Sequence, residues 1–63
     1  NADVLHTVRE SADATFDFYL PRGKETVELQ GIEGEPVILF QTERGKKPGS
    51  YTVHRNGVLV VRR

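Results

Sequence analysis

The sequence predicts an all-β domain of about five strands, folded as a small barrel or as a compact two-layer antiparallel sheet. Apolar and polar residues alternate with a period of two in the segments TFDFYL and TVELQGI, as they do in half-buried strands. Gly and Pro clusters in PRGKE, EGEP and ERGKKPGS divide the chain at short intervals. Such spacing is typical of β-sandwiches and β-barrels and leaves little room for helices.

The first element, residues 4–9, has two interpretations. A short N-terminal helix capped by Asp3 would place Val4, Leu5 and Val8 on one face. The β-branched residues of the segment favour an edge strand instead. We expect the strand and keep the helix as the alternative.

The next three elements form the predicted core. In TFDFYL the apolar side chains share one face, and Asp17 and Tyr19 take the other. In TVELQGI the strand weakens at Gly31, which can mark a bulge. The segment VILF, residues 37–40, is apolar on both faces and is therefore predicted to be the central strand. The predicted core residues, from these elements and the last hairpin, are Phe16, Phe18, Leu20, Val27, Leu29, Ile38, Phe40, Val53 and Val60.

The last element, YTVHRNGVLVVRR, contains the Asn56-Gly57 pair, which favours a two-residue type I′ turn. A hairpin about that turn would place Val53 opposite Val60. Both of its faces are partly apolar, so we expect it to offer surface to a partner. The predicted partner-binding residues are Tyr51, Val58, Leu59 and Val61.

The size of the chain also indicates a partner. We expect one domain over residues 1–63, cut from or processed out of a longer chain because the sequence begins with Asn1. A domain this small is marginally stable, and the absence of cysteine removes disulfides and thiolate metal sites as support. The longest apolar run, residues 58–61, is far shorter than the roughly 18 residues of a membrane span.

Charge is unevenly distributed although the formal net charge is zero. Residues 1–35 hold eight acidic and three basic side chains, a balance of −5, and residues 36–63 hold one acidic and six basic, a balance of +5. A basic half with a tyrosine among its cations is one way to bind single-stranded nucleic acid. The residues predicted for that alternative are Arg44, Lys46, Lys47, Tyr51, Arg55, Arg62 and Arg63.

No catalytic signature is present. His6 and His54 are the only imidazole bases, and neither lies in a local motif with Ser11 or Ser50. We therefore expect no enzyme, no cofactor and no metal site. The alternative is a metal-binding or proton-sensing site that combines His6 and His54. The predicted function is non-catalytic binding, to a protein partner or to a second copy, through strand edges and an apolar hairpin surface. Nucleic-acid binding by the basic half is the alternative.

Overall fold

The computed structural model describes residues 4–23 and 25–63. The strands in these residues are β1 Val4–Glu10, β2 Thr15–Pro21, β3 Val27–Leu29, β4 Glu35–Arg44 and β5 Tyr51–Arg62. The all-β prediction is confirmed. The first segment is a strand, so the alternative helix is wrong, and its proposed cap Asp3 lies outside the described residues. No helix in the described residues is long and apolar enough to cross a membrane.

The strands form one antiparallel sheet with β5 at its centre. β4 pairs along one edge of β5, and β2 and β3 share the other edge. β1 pairs with β2. The sheet curls into an open half-barrel, so the predicted barrel is not closed. Its two long rims are β1 and β4, and the short β3 also has a strand partner on one side only among the described residues.

The predicted position of residues 37–40 is wrong. They belong to β4, which has a strand partner on one side only among the described residues. The central place goes to β5 because its 12 residues are long enough to pair with β2 and β3 end to end on one edge and with β4 on the other.

The core lies on the concave side of the sheet, which we call the inner face. Its buried residues are Val27, Leu29, Tyr51, Val53, Leu59 and Val61, with Val4, Tyr19 and Ile32 packed against them. Val60 is also buried, on the opposite, outer face. The predicted core positions Val27, Leu29, Val53 and Val60 are therefore confirmed.

The other predicted core residues are on the outer face. Asp17 and Tyr19 point inward, where they lie opposite Val61 and Leu59. Shifting the buried face of a strand by one residue exchanges all of its side chains between the two faces. The alternation of side chains in β2 is thus correctly predicted, but the prediction of which face of β2 is directed to the core is wrong. The displaced side chains are the half-buried Phe16, Phe18 and Leu20 and the exposed Ile38 and Phe40.

The predicted hairpin at Asn56-Gly57 does not form. Residues 51–62 are one strand, and Val53 pairs with Thr42 of β4 instead of with Val60. Between Val53 and Val58 the chain bulges opposite Gln41. Asn56 adopts the positive φ expected of it, 62°, but in this bulge. The two halves of β5 cannot pair with each other because both pair with β4.

Hairpins do occur elsewhere. β1 and β2 are joined through residues 11–14, where the Ser11 amide donates to the Ala14 carbonyl at 2.8 Å. β4 and β5 are joined through residues 45–50, where the Gly45 amide donates to the Ser50 carbonyl at 2.7 Å. The second hairpin fixes the register of the long β4·β5 pair.

Candidate interaction surface

The outer face carries an apolar band across four strands. One row joins Phe18 of β2, Val60 of β5 and Ile38 of β4. Leu5 lies opposite Leu20 at the β1 side, and Phe40 lies opposite Val58 at the β4 side. Val60 is buried between its neighbours, but Leu5, Ile38 and Phe40 are 48–55% exposed. A contiguous apolar surface of this kind marks an interaction site more often than scattered apolar residues do.

The β4 rim is the most apolar part of this surface. We use this name for residues 37–40, Val37, Ile38, Leu39 and Phe40, which are 50, 48, 39 and 55% exposed. Thr42 stabilises the irregularity that follows: its hydroxyl donates to the Phe40 carbonyl at 2.9 Å and lies 3.2 Å from the Val58 carbonyl. The β4 rim is therefore the middle of an edge strand, and it exposes both side chains and backbone.

The β1 rim is the other open edge. Its apolar residues Leu5 and Val8 are 50% and 45% exposed. Its last two residues, Arg9 and Glu10, are exposed and oppositely charged. β1 is therefore an edge of mixed character, whereas the β4 rim, residues 37–40, is apolar throughout.

Most of the predicted partner-binding residues lie in the core. Tyr51, Leu59 and Val61 are buried on the inner face, and only Val58 is half-buried. In the chain as folded here these three side chains have almost no surface for a partner. Their binding role stays a prediction. Ile38 and Phe40, which are exposed on the β4 rim, were predicted to lie in the core.

The predicted nucleic-acid residues are divided between the two ends of β5. Arg44, Lys46 and Lys47 lie at the β4–β5 turn, and Arg62 and Arg63 lie at the far end, roughly 30 Å away for a strand of 12 residues. Arg55 is exposed in the bulge between them. Tyr51 is 5% exposed and so cannot stack on a base.

Arg63 is further committed to an ion pair within the chain, and Arg62 lies across the sheet from an acidic residue. Arg62 lies opposite Glu35, and Arg63 binds Asp17. The basic residues therefore form no continuous basic groove in the described structure, and nucleic-acid binding stays a prediction.

A charged cluster, which the sequence pattern did not predict, lies beside the core. The Asp17 carboxylate is 3% exposed and accepts hydrogen bonds from Arg63, Nε to Oδ2 at 2.6 Å and Nη2 to Oδ1 at 3.2 Å. His6 Nε2 lies 2.8 Å from Asp17 Oδ1. The His6 ring stacks on Tyr19, with centroids 4.4 Å apart and planes 14° from parallel.

Ionisation in this cluster follows from its contacts. Burial raises the pKa of Asp17, but the hydrogen bonds from His6 and Arg63 outweigh burial and the net pKa is lowered. Burial and the Asp17 charge together raise the pKa of Tyr19. The hydrogen bond to Asp17 raises the pKa of Arg63. Asp17 is therefore a carboxylate with its negative charge compensated by neighbours.

Two shallow hollows open beside the cluster. One, of about 340 Å³, is lined by Val4, His6, Tyr19 and residues 28–30 and 32. The other, of about 190 Å³, is lined by His6, Asp17, Tyr19, Gly31, Glu33 and Arg63. His6 and Arg63, which line these hollows, are already hydrogen-bonded to Asp17. The cluster therefore connects β1, β2 and the end of the chain beyond β5.

The second histidine belongs to a separate, exposed cluster. His54 Nε2 lies 2.5 Å from Glu43 Oε2, and its Nδ1 lies 3.4 Å from Thr26 Oγ1. The His54 and Glu43 side chains are 40% and 72% exposed, and surface ion pairs of this kind contribute about 0–1 kcal/mol. His6 and His54 thus lie in different clusters. No group of three or more metal-ligating side chains occurs in residues 4–23 and 25–63.

The arrangement of the described residues is therefore that of two charged clusters and an extensive apolar surface ending at an open strand. No protein-family model matches this chain. Its function has to be argued from these surfaces.

Proposed function

We propose that this domain is a non-catalytic binding module, which associates with a protein through the β4 rim and the apolar outer face. The protein is a second copy or a different chain. The observation that carries the proposal is the run of four exposed apolar residues, 37–40, on a strand that has one strand partner within residues 4–23 and 25–63. Monomeric proteins usually protect such an edge with charge, proline or a covering segment, and residues 37–40 carry no charge and no proline.

Association would lower the free energy by burying apolar side chains and by pairing open backbone groups. Covering an aromatic side chain that is half exposed, as Phe40 is, removes about 100 Å² from water and contributes roughly 2.5 kcal/mol. An added strand also pairs the open backbone groups of the rim. Few domains of 63 residues can leave such a surface uncovered without association.

The proposal is tested with a rim variant, Ile38→Lys with Phe40→Lys. Both side chains are exposed, so the fold should be kept, as circular dichroism will show. Ala12→Lys with Gln30→Lys is the matched control, because it adds the same charge at exposed positions outside the strands. Self-association is measured by light scattering after size exclusion. Binding to a different chain is measured by comparing the proteins that the wild-type and variant domains capture from cells. Any captured protein is then purified, and its binding to both domains is measured again.

We expect self-association, or binding of a purified partner, that the rim variant loses and the control keeps. Two results together contradict the proposal. The domain is monomeric at every concentration, and no purified protein binds the wild type more tightly than the rim variant. Binding to an oligonucleotide that weakens steeply with salt would support the nucleic-acid alternative instead.

A further inference from the structure

We infer that the partner at the β4 rim is an extended segment of a different chain, which adds as an antiparallel strand and carries a basic residue on each side of two apolar residues. This inference rests on the proposed function and names the chemistry of its partner. It follows from the charges that flank the rim, from the strand already paired with β4, and from the repulsion that a second copy would meet.

Two acidic side chains flank the apolar outer-face residues of β4. Glu35 comes before Ile38, and Glu43 comes after Phe40. Their partners on β5 place all of these side chains on the outer face. Both carboxylates are exposed, and the Glu43 side chain remains 72% exposed although His54 contacts it. A strand added along the edge of β4 that has no strand partner among the described residues would therefore meet acid, apolar, apolar and acid on this face.

The strand on the paired side of β4 shows which side chains match this row. Arg62 lies opposite Glu35, and Val60 lies opposite Ile38. Three steps along β4 correspond there to two steps along β5, because Val37 is an extra residue in β4. Outward side chains of a regular strand are also two positions apart. A regular strand on the other side of β4 would thus reach Glu35 with a basic residue two positions from an apolar one, and cross-strand pairs of opposite charge stabilise a sheet.

The spacing is the same at the other end of the rim. Phe40 and Glu43 are three positions apart, and both belong to the outer face because an irregularity lies between them at Gln41. The matching segment therefore has basic, apolar, apolar and basic residues at alternate positions. Pro36 supplies no amide hydrogen, so the added strand would pair its backbone with residues 37–43 and reach Glu35 with a side chain only.

A second copy of β4 does not have this pattern. In the two-fold antiparallel pair that places Ile38 opposite Phe40 of the other copy, Glu35 lies opposite Glu43 of the other copy. Symmetry repeats this contact, and like charges directly opposite each other destabilise a sheet. Shifting the register by one residue joins side chains of opposite faces, because Leu39 belongs to the inner face. The acidic residues therefore favour a different, basic chain.

The probe for the test is the fluorescein-labelled peptide Arg-Thr-Val-Thr-Val-Thr-Arg, and the comparison peptide has glutamate in place of both arginines. Each is titrated with the wild-type domain and with the variant Glu35→Lys with Glu43→Lys, and binding is measured by fluorescence anisotropy. Glu10→Lys with Asp13→Lys is the matched control, because it makes the same change of charge at exposed positions outside β4. Circular dichroism checks that every variant is folded.

We expect the wild type and the control to bind the arginine peptide at least about tenfold more tightly than the glutamate peptide, and the β4 variant to reverse that preference. Amide hydrogen exchange should show that the arginine peptide protects amides within residues 37–41 and leaves those of β1 unchanged, because a paired strand covers backbone groups. Equal binding of the two peptides, a preference that the β4 variant keeps, or protection of β1 in place of β4 overturns the inference.

A single substitution tests the exclusion of a second copy. In the Glu35→Lys chain both like-charge contacts of the two-fold pair become attractive. We expect its self-association in analytical ultracentrifugation to be at least about tenfold tighter than that of the wild type, whereas Glu10→Lys should behave as the wild type does. A wild type that dimerises through β4, or a Glu35→Lys chain that associates no more tightly than the wild type, overturns the inference.

Failure of this inference can be told apart from failure of the proposed function. If the arginine peptide does not bind, but a second copy or a purified protein binds the wild type more tightly than the rim variant Ile38→Lys with Phe40→Lys, the inference is wrong and the proposed function stands. If no peptide, second copy or purified protein binds, both are contradicted.

Discussion

Arg63 holds Asp17 at two points, with Nε 2.6 Å from Oδ2 and Nη2 3.2 Å from Oδ1. The two residues are 46 positions apart in the chain, so this contact fastens the end of β5 to the middle of β2. Because the carboxylate is 3% exposed, it depends on these bonds to offset the loss of water.

Replacement of that carboxylate should destabilise the fold. Asp17→Asn keeps the size of the side chain but removes the charge that Arg63 and His6 contact. We expect a loss of about 1–3 kcal/mol in the free energy of unfolding, measured by urea titration. Asp13→Asn, at an exposed position in the β1–β2 turn, should leave stability unchanged. Equal midpoints for the two variants would contradict a structural role for Asp17.

The contribution of Asp17 should also depend on pH. Its pKa is lower in the folded chain than the ordinary value of 3.8, so the folded state favours the ionised form. That stabilisation is present above about pH 4 and is lost as the pH falls through the folded pKa. The difference in unfolding free energy between wild type and Asp17→Asn should therefore shrink from pH 6 to pH 2. A difference that stays constant over this range would rule out a lowered pKa.

Position 57 requires glycine because a side chain has no room there, and its φ is not positive. A Cβ atom there would lie 2.7 Å from the Gln41 carbonyl oxygen and 2.8 Å from that of His54, and backbone cannot move aside easily. We expect Gly57→Ala to lower the free energy of unfolding by about 1–3 kcal/mol. Gly23→Ala, where a Cβ meets nothing within 4 Å, should be neutral or slightly stabilising. Thermal unfolding of both variants measures the difference. A Gly57→Ala protein as stable as Gly23→Ala would mean that the bulge is not packed as described.

Leu59 and Leu39 give a matched comparison of core and rim, because they lie opposite each other on β5 and β4. Leu59 is 0% exposed and Leu39 is 39% exposed. Leu59→Ala should lower the free energy of unfolding by about 2–5 kcal/mol, enough to unfold much of so small a domain. Leu39→Ala should cost clearly less in a dilute monomer. The free energies of unfolding are measured by urea titration at low protein concentration. Equal losses for the two variants would mean that Leu39 is as buried as Leu59.

Local patterns were sufficient for part of this fold. Val27 and Leu29 are buried and Glu28 is exposed, as alternation predicts, because β3 has one clearly apolar side. The glycine- and proline-rich stretch at 43–50 likewise marks the β4–β5 hairpin. These features depend on neighbours in sequence, so the sequence carries them directly.

The remaining features depend on distant pairing. The inward orientation of Asp17 requires Arg63 and His6, which are remote in the chain, and a pattern rule assigns a lone carboxylate to the surface. Asn56-Gly57 suits a turn or a bulge equally, and the long pairing with β4 selects the bulge.

The candidate surface was hidden by the same kind of ambiguity. A run that is apolar on both faces, such as residues 37–40, describes a central strand as well as an unprotected rim. Only the position of β4 in the sheet separates the two.

The measurement that tests the open half-barrel most directly is amide hydrogen exchange by NMR over a range of concentrations. In dilute solution the outward amides of β1 and β4 should exchange rapidly while those of β5, which is paired on both edges, stay protected. If the partner is a second copy, protection of β4 should then rise as the concentration increases. Rims that are as protected as β5 in the dilute monomer would mean that a single chain already covers its own edges, and would contradict the account.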